Sequence, residues 1–600
     1  MILDTPHEVK LYARETIELP GILTSLLPKI HSVYQPKDIQ ELQEMISEAK
    51  KNRMRIIPRG AATSGMGGLT PLKKSIIMDL TQLNRIHDFD EKKKTVCFEA
   101  GLRWWSLKQF LSKHSFSLYT YPTSLFSTVG GWLSTGGYGI NSFRYGHISN
   151  LVESIEILTS GKCKTVNRND QEFRYFIGTE GQMGIISKVR LKIRELRPTK
   201  SYLVFFGTPS DAVSFIDDLT KSSAVRPVHV AYFDRQRLEL KNSFLDGNIS
   251  FPAREGVLVA FDQHSSAAGF LDSAERKGGT LAQDHLTAFL WNERFFPFSI
   301  RRFYPSVLGC ETVLPVRNLP QYIGHTRQFG KSYGLPLSTE ATLINKNMAV
   351  AFTIFPSNPH NFSHFFHLLL SYSLANVASM CGGTPYGIGV WNLPLLKKVF
   401  SKEDYKQYKL FKKESDPSCL YNPGKAFSSD LNIKSLLKLA YSMSALFSDG
   451  NLLSQALSKV LNGRSKKSHR DLSEPEACAN CGACTAVCPA YLINKTEAVT
   501  AKGKLFLFKD LLNGVRLPGQ LREQMFLCLH CHLCEYVCQS KLKLNPVWDR
   551  LESILEKEFG RPEEKIAEFV KRAESDPAYS ELLDSLNLPP NANSENSLNV

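Results

Sequence analysis

Eight of the chain's 13 cysteines fall in two short runs, CANCGACTAVCP (478–489) and CLHCHLCEYVC (528–538). Both have the spacing C-x2-C-x2-C-x3-C; Pro489 follows the first run and Gln539 the second. Thiolates are soft ligands, and a triplet with a trailing fourth cysteine is the pattern that holds iron–sulfur cubes. Zinc, the alternative, normally takes paired C-x2-C elements. Where two cubes share a domain, the fourth cysteine of each run serves the other cube. One 4Fe–4S cluster is therefore expected on Cys478, Cys481, Cys484 and Cys538, and a second on Cys528, Cys531, Cys534 and Cys488. The other five cysteines are scattered and read as ordinary core positions.

Two clusters need a source of electrons, and the glycines point to one. Three glycine-rich stretches occur in order: RGAATSGMGG (59–68), STVGGWLSTGGYG (127–139) and GTEGQMGIIS (178–187). Glycine lets a backbone approach a phosphate with its amides turned inward. A flavin that oxidises an alcohol also needs a base for the hydroxyl proton, and a carboxylate substrate needs a cation, preferably arginine. The run RRFY (301–304) offers Arg301, Arg302 and Tyr304, with Arg302 preferred; Tyr386 is the second catalytic candidate, and His285 and Glu340 are further bases. His364 and His367 lie in an aromatic helical pattern and read as packing residues.

The elements around these residues alternate. PKDIQELQEMISEAKKN has helical apolar spacing, with Asp38 as N-cap and Glu41 three residues on. RIIP, SIIMDL and TVCFEAG read as strands, and RWWSLKQFLSKH as an amphipathic helix. From about 200 to 400 the pattern stays α+β. The stretch 429–475 reads as helices and a charged linker; the insert between the cysteine runs is helical in pattern, and the tail is polar.

The order and wording of the glycine stretches resemble the FAD-binding domain of the vanillyl-alcohol oxidase / p-cresol methylhydroxylase (PCMH-type) superfamily. P-R-G-A-A-T-S (58–64) is similar to its pyrophosphate loop, and F-I-G-T-E-G-Q-M-G-I-I-S (176–187) to its G-S-E-G-T-L-G-I-I-T. DPSCLYNPGK (416–425) resembles the segment that returns to the flavin. The nearest branch holds glycolate oxidase flavoprotein subunits and FAD-dependent D-lactate dehydrogenases. Residues 470–545 resemble the iron–sulfur subunits of glycolate oxidase and anaerobic glycerol-3-phosphate dehydrogenase. The resemblance implies FAD lined by Arg59, Gly60, Thr63, Ser64, Thr128, Gly130, Gly131, Thr135, Gly136, Gly137, Gly178, Glu180, Gly181, Gly184 and Ile186. The first loop has no histidine, so non-covalent FAD is expected. The resemblance has two departures: the family's metal-binding elements, of which the second, with two histidines, is not visible, and the CCG modules that follow the ferredoxin part in the related subunits. Where the D-lactate branch has E-H-G-I-G, this chain reads T-P-Y-G-I-G (384–389), with Pro385 and Tyr386 in the metal-binding places.

The expected architecture is α+β. A two-subdomain PCMH-type FAD domain (30–200) follows an N-terminal extension (1–29), then come an α+β cap domain (201–428), a helical linker (429–475), a helical ferredoxin domain (476–545) and a helical tail (546–600). The expected activity is oxidation of a small 2-hydroxy acid such as D-lactate or glycolate. Electrons would then pass singly to an external acceptor: a CCG-domain subunit, an electron-transfer flavoprotein or a quinone-linked protein. The alternative is an electron-transfer subunit without its own hydroxy-acid oxidation. The 600 residues carry a formal charge of +15, with 42% apolar and 22% charged residues. Two clusters and a dinucleotide would each offset about two of those charges, and no nucleic-acid motif accompanies them, so nucleic acid is not an expected partner. No apolar run reaches about 18 residues, and the first 20 residues lack a signal-peptide pattern. A cytoplasmic location is expected, with peripheral attachment at the inner membrane face compatible with the charge.

Overall fold

The computed structural model describes residues 1–17, 24–25, 27–159, 162–221, 225–243, 245, 250–262, 268–428, 431–448 and 474–577. The charged linker and the polar end of the tail lie outside the described residues.

Strands Arg55–Arg59 and Ser75–Asp79 run parallel, flanked by Ile30–Tyr34 and Ile2–Leu3, in a four-stranded sheet. SIIMD (75–79) is buried at every position, as a parallel strand covered on both faces must be. The helix Ile39–Lys51 covers one face with Leu42, Met45, Ile46 and Ala49. Its cap is the one the sequence announces: Asp38 Oδ1 accepts from the Glu41 N–H at 2.8 Å, while Glu41 Oε2 accepts from the Lys37 N–H at 2.6 Å. A second sheet of five antiparallel strands (order 86–90, 95–99, 185–192, 152–159, 162–167) carries the helix Trp104–Lys113 nearby. The first glycine-rich stretch follows strand Arg55–Arg59 of the first sheet; the second precedes strand Val152–Thr159 of the second sheet, and the third runs into its strand Ile185–Lys192.

The cap is one eight-stranded antiparallel sheet formed within residues 199–385. In its long strand Ser306–Pro315, burial alternates strictly residue by residue, so Val307, Gly309 and Glu311 share one face. The helix Ser363–Met380 packs beside that strand and against the helix Leu431–Ser444, where Ser373 Oγ donates to the Ser444 carbonyl at 2.8 Å.

After the cap the chain returns to the first sheet. The Ile56 N–H donates to Leu420 O at 2.8 Å, and the Asn422 N–H donates back to Ile56 O at 2.7 Å. The C-terminal module is helical; its largest helices are Ala501–Leu512 and Asn545–Phe559, packed around Trp548 and Phe508.

Candidate flavin and iron–sulfur site

A cavity of about 740 Å³ lies between the two small sheets and the cap. Its floor is built from loops in which side chains have no room. A Cβ on Gly60 would collide with Thr128 Oγ1, and one on Gly131 would stand 2.8 Å from the same atom. Thr128 caps the helix Val129–Thr135, its Oγ1 accepting from the Gly131 N–H at 3.2 Å. The first two loops thus touch backbone to backbone around one threonine. Gly181 (φ +66) and Gly184 (φ +151) bring the third loop against Pro58 and the Leu158 carbonyl. This cradle fits a dinucleotide: its walls are narrow and rich in backbone, with a helix N-terminus on one side.

Glu180 belongs to the same wall. It holds a left-handed φ of +53, unusual for a residue with a side chain, and its carbonyl accepts from Asn422 Nδ2 at 2.7 Å. Its Oε2 is buried without a partner. Burial pushes this carboxyl up to about 7 against the pull of Lys425, with Glu15 adding to the rise. Lys425 is fixed by the carbonyls of Gly67 and Gly68. A buried, unpartnered carboxyl group facing the cleft suits a hydroxyl or amino donor of a bound dinucleotide.

Of the expected flavin residues, Arg59, Gly60, Thr63, Ser64, Thr128, Gly130, Gly131, Thr135, Glu180, Gly181, Gly184 and Ile186 border the cavity. Gly136, Gly137 and Gly178 stand behind the wall; a Cβ on Gly136 would press on Tyr386 Oη at 2.8 Å. Arg59 borders the cavity, but its guanidinium is committed elsewhere, to Asp79 at 3.3 Å and Glu497 at 2.5 Å.

The cap supplies the opposite wall. Strand register places Glu311 opposite Phe352, and Phe352 opposite Glu340; the Tyr386 N–H donates to Glu311 O at 3.1 Å. One row across the sheet therefore carries a phenol and two carboxyls into the cavity. Glu340 Oε2 accepts from Arg237 through Nε at 3.0 Å and a terminal nitrogen at 2.8 Å. Burial, with the Glu340 charge behind it, pushes Glu311 up to about 7. The Tyr386 hydroxyl accepts from the N–H groups of both Gly137 and Tyr138 at 3.1 Å, so the cap and the second flavin loop meet at this oxygen. Burial raises its pKa to about 12.

The arginine expectation needs correcting. Arg302 is exposed and does not border the cavity, because it ends a short 3-10 turn (Ser299–Arg302) whose other face is inside. Arg301 takes the inward position, with a buried Nε–H that has no partner and a terminal nitrogen donating to Cys478 O at 2.8 Å. Five residues of strand separate Ser306 from Glu311, a rise of roughly 17 Å, so Arg301 and Glu311 serve different ends of the cavity. His285 is exposed and Tyr304 lies off the wall. His364 and His367 are buried, and both rings share the Ser357 hydroxyl, at 2.7 and 2.9 Å. Glu311 is the functional candidate that sequence reasoning missed, and Arg301 the one it ranked behind Arg302; the signal for Glu311 was the one charged residue in an alternating strand.

The cysteine runs fold as a two-fold repeat. Asn480 and Gly482 flank Cys481 with left-handed φ of 54° and 68°, and His530 and His532 flank Cys531 with 49° and 61°. Each run thus bends its backbone around the second cysteine. Cys488, Cys528, Cys531 and Cys534 line one small cavity. Cys481 has Cys538 and Cys478 as its charge neighbours, and Cys538 has Cys478. Among the described residues no three His, Cys, Asp or Glu side chains converge as they would on one small ion; the grouping rests on which thiols are neighbours. The Lys502 N–H donates to Cys484 Sγ at 3.3 Å and the Leu542 N–H to Cys538 Sγ at 3.4 Å. Burial, and after it the neighbouring thiols, push the Cys484 thiol up, a cost that bound iron would remove. The set fits iron–sulfur ligation. Pro489 starts the helix Pro489–Asn494, whereas Gln539 is buried in a turn with no helix to start.

The module sits against the flavin loops. A Cβ on Gly482 would stand 3.1 Å from Ala61 O, in the first loop. Phe126, in the chain leading to the second loop, packs with Ala483, Val487, Leu533 and Val537.

Residues 30–167 match the FAD binding domain family, 196–426 the C-terminal domain of FAD linked oxidases, and 474–542 the 4Fe-4S dicluster domain. The chain is a PCMH-type FAD-linked oxidoreductase with a C-terminal iron–sulfur domain. This oxidoreductase is 21% identical to the D-lactate dehydrogenase of Archaeoglobus fulgidus, over 68% of this chain and 94% of that protein. It is 21% identical to the glycolate oxidase subunit GlcD of Bacillus subtilis, over 66% of this chain and 89% of that subunit. Its fold is that of p-cresol methylhydroxylase, with a TM-score of 0.60 at 13% identity over 72% of this chain and 94% of the other. Among the described residues no helix is long and apolar enough to cross a membrane.

Proposed function

We propose that this chain oxidises a hydroxy acid and passes the electrons, one at a time, through two 4Fe–4S clusters to an external acceptor. The observation that carries the reading is a single cavity with flavin-loop residues on one wall and the Tyr386–Glu311 pair on the other, beside which the first cysteine motif touches the pyrophosphate loop at Gly482 and Ala61. The hydroxy-acid class rests on the substrates named for the D-lactate dehydrogenase and glycolate oxidase relatives. Bound non-covalently, FAD would supply a two-electron acceptor for the carbinol carbon, and the two clusters would supply one-electron steps onward.

Glu311 takes the hydroxyl proton. Its raised pKa suits a base working near neutral pH. Tyr386 is fixed by two backbone N–H donors, which leaves its own O–H to donate to the substrate oxygen. Burial first, and the neighbouring Glu340 second, hold the Glu311 pKa up, and Arg237 fixes the position of Glu340. Arg301 presents a cation where the cavity meets the first cysteine motif, at the place where negative charge accumulates when electrons leave the cavity.

The test is anaerobic protein mixed with a panel of hydroxy acids, following the flavin's visible absorbance and then the clusters by electron paramagnetic resonance. Bleaching followed by a cluster signal is expected. If no acid bleaches the flavin but a reduced redox partner does, the chain is an electron-transfer subunit.

A further inference from the structure

Resting on the hydroxy-acid reading, we propose that the substrate carries a hydrocarbon chain, housed in an apolar arm of the cavity along the helices Ser363–Met380 and Leu431–Ser444. The polar row Glu311–Glu340 crosses the cap wall, and the cavity-facing positions on either side of it are apolar, Val350 on one side and Val307 and Ile354 on the other. The helix Ser363–Met380 lines the cavity with Phe365, Leu368, Leu369 and Tyr372, at the 3–4–7 spacing of one face. Helix Leu431–Ser444 extends this wall with Leu437 and Ala440, and Tyr372 meets Tyr441 there with ring centroids 5.9 Å apart.

A two- or three-carbon hydroxy acid has no methylenes to lay along this wall and would leave it wetted. The only described cations on the cavity wall are Arg59, spent on Asp79 and Glu497, and Arg301, at the ferredoxin end. The arm therefore has no charged feature of its own and matches an aliphatic chain. It also has a route in: Leu436 lines the cavity and is 54% exposed, so the arm reaches the surface along this helix.

Each buried methylene contributes about 0.8 kcal/mol, or roughly a fourfold gain in affinity. The experiment measures binding of straight-chain 2-hydroxy acids of three to ten carbons to the FAD- and iron-loaded protein, by equilibrium dialysis alongside flavin bleaching. The expected result is a dissociation constant falling roughly fourfold per added carbon until the arm is full. Leu368→Gln should flatten that dependence and leave the three-carbon acid unaffected. Should that variant fold poorly, Leu437→Gln on the facing helix reads the same wall. An affinity independent of chain length overturns the proposal even if lactate bleaches the flavin. If affinity climbs with chain length but no acid bleaches the flavin, the apolar arm stands and the dehydrogenase reading falls.

Discussion

Glu311 and Tyr386 meet the cavity from adjacent places in one sheet, and their environments set opposite tasks. Glu311 is held near 7 by burial and by Glu340, so it is half-charged where the reaction runs. A base must be unprotonated to work, so flavin bleaching by substrate should speed up as pH rises through about 7 and level off above it. Glu311→Gln should slow bleaching by roughly 100- to 10,000-fold, the usual worth of a positioned base, and remove that pH limb. A variant with the limb intact assigns the base elsewhere. Tyr386→Phe has a different signature: it strips the acceptor from the N–H groups of Gly137 and Tyr138. Leaving buried donors unpaired costs about 1–3 kcal/mol, which chemical denaturation would register as lost stability besides any loss of rate.

At the scale of elements, the loops were readable from sequence and the cap was not, for a physical reason. A loop that must bring backbone against a dinucleotide can only be written with glycine, so Gly60, Gly131, Gly181 and Gly184 announce themselves. The cysteine runs are equally explicit, because ligand identity and spacing are the function. Glu311 and Glu340 are 29 positions apart, and only the register of Ser306–Pro315 and Ser338–Leu343 on either side of Met348–Ser357 puts them in one row. Which of two adjacent arginines faces inward was likewise decided by the phase of a 3-10 turn, which a propensity reading does not fix. The loop geometry makes its own prediction. Gly60→Ala places a methyl group on Thr128 Oγ1 and forces the first two loops apart. The purified variant should lose most of its flavin absorbance per chain and keep its iron content; full flavin occupancy would mean the loops do not form the cradle.

At the scale of the whole molecule, the proposed relay needs the C-terminal module to be held still against the flavin domain, and a buried network of charges joins the two. Glu497 reaches across from the module to Arg59 at 2.5 Å and is paired on its own side with Lys502 at 2.9 Å; Arg59 also meets Asp79 at 3.3 Å. The phenol of Tyr12 accepts from the Glu497 N–H at 3.0 Å and from Gln35, which binds Asp79, so the N-terminal helix is drawn into the same knot. Burial works to raise the Glu497 pKa, but Arg59 and Lys502 together pull it down to about 2. With its folded value below its unfolded one, Glu497 contributes stability that is complete above about 4.5 and is lost as pH falls through about 2. The docking should therefore survive mild acid, and limited proteolysis of the module should begin only well below pH 4. Glu497→Gln removes the charge but keeps the shape, leaving Arg59 with Asp79 alone in a buried site. Breaking such a pair costs about 3–5 kcal/mol, and here the cost falls on the docking of the module. The expected phenotype is a flavin that bleaches with substrate at the normal rate while reduction of the clusters lags behind it. If cluster reduction keeps pace in this variant and in Arg59→Met, the module is held by its apolar contacts around Phe126, and the buried charges serve only local stability.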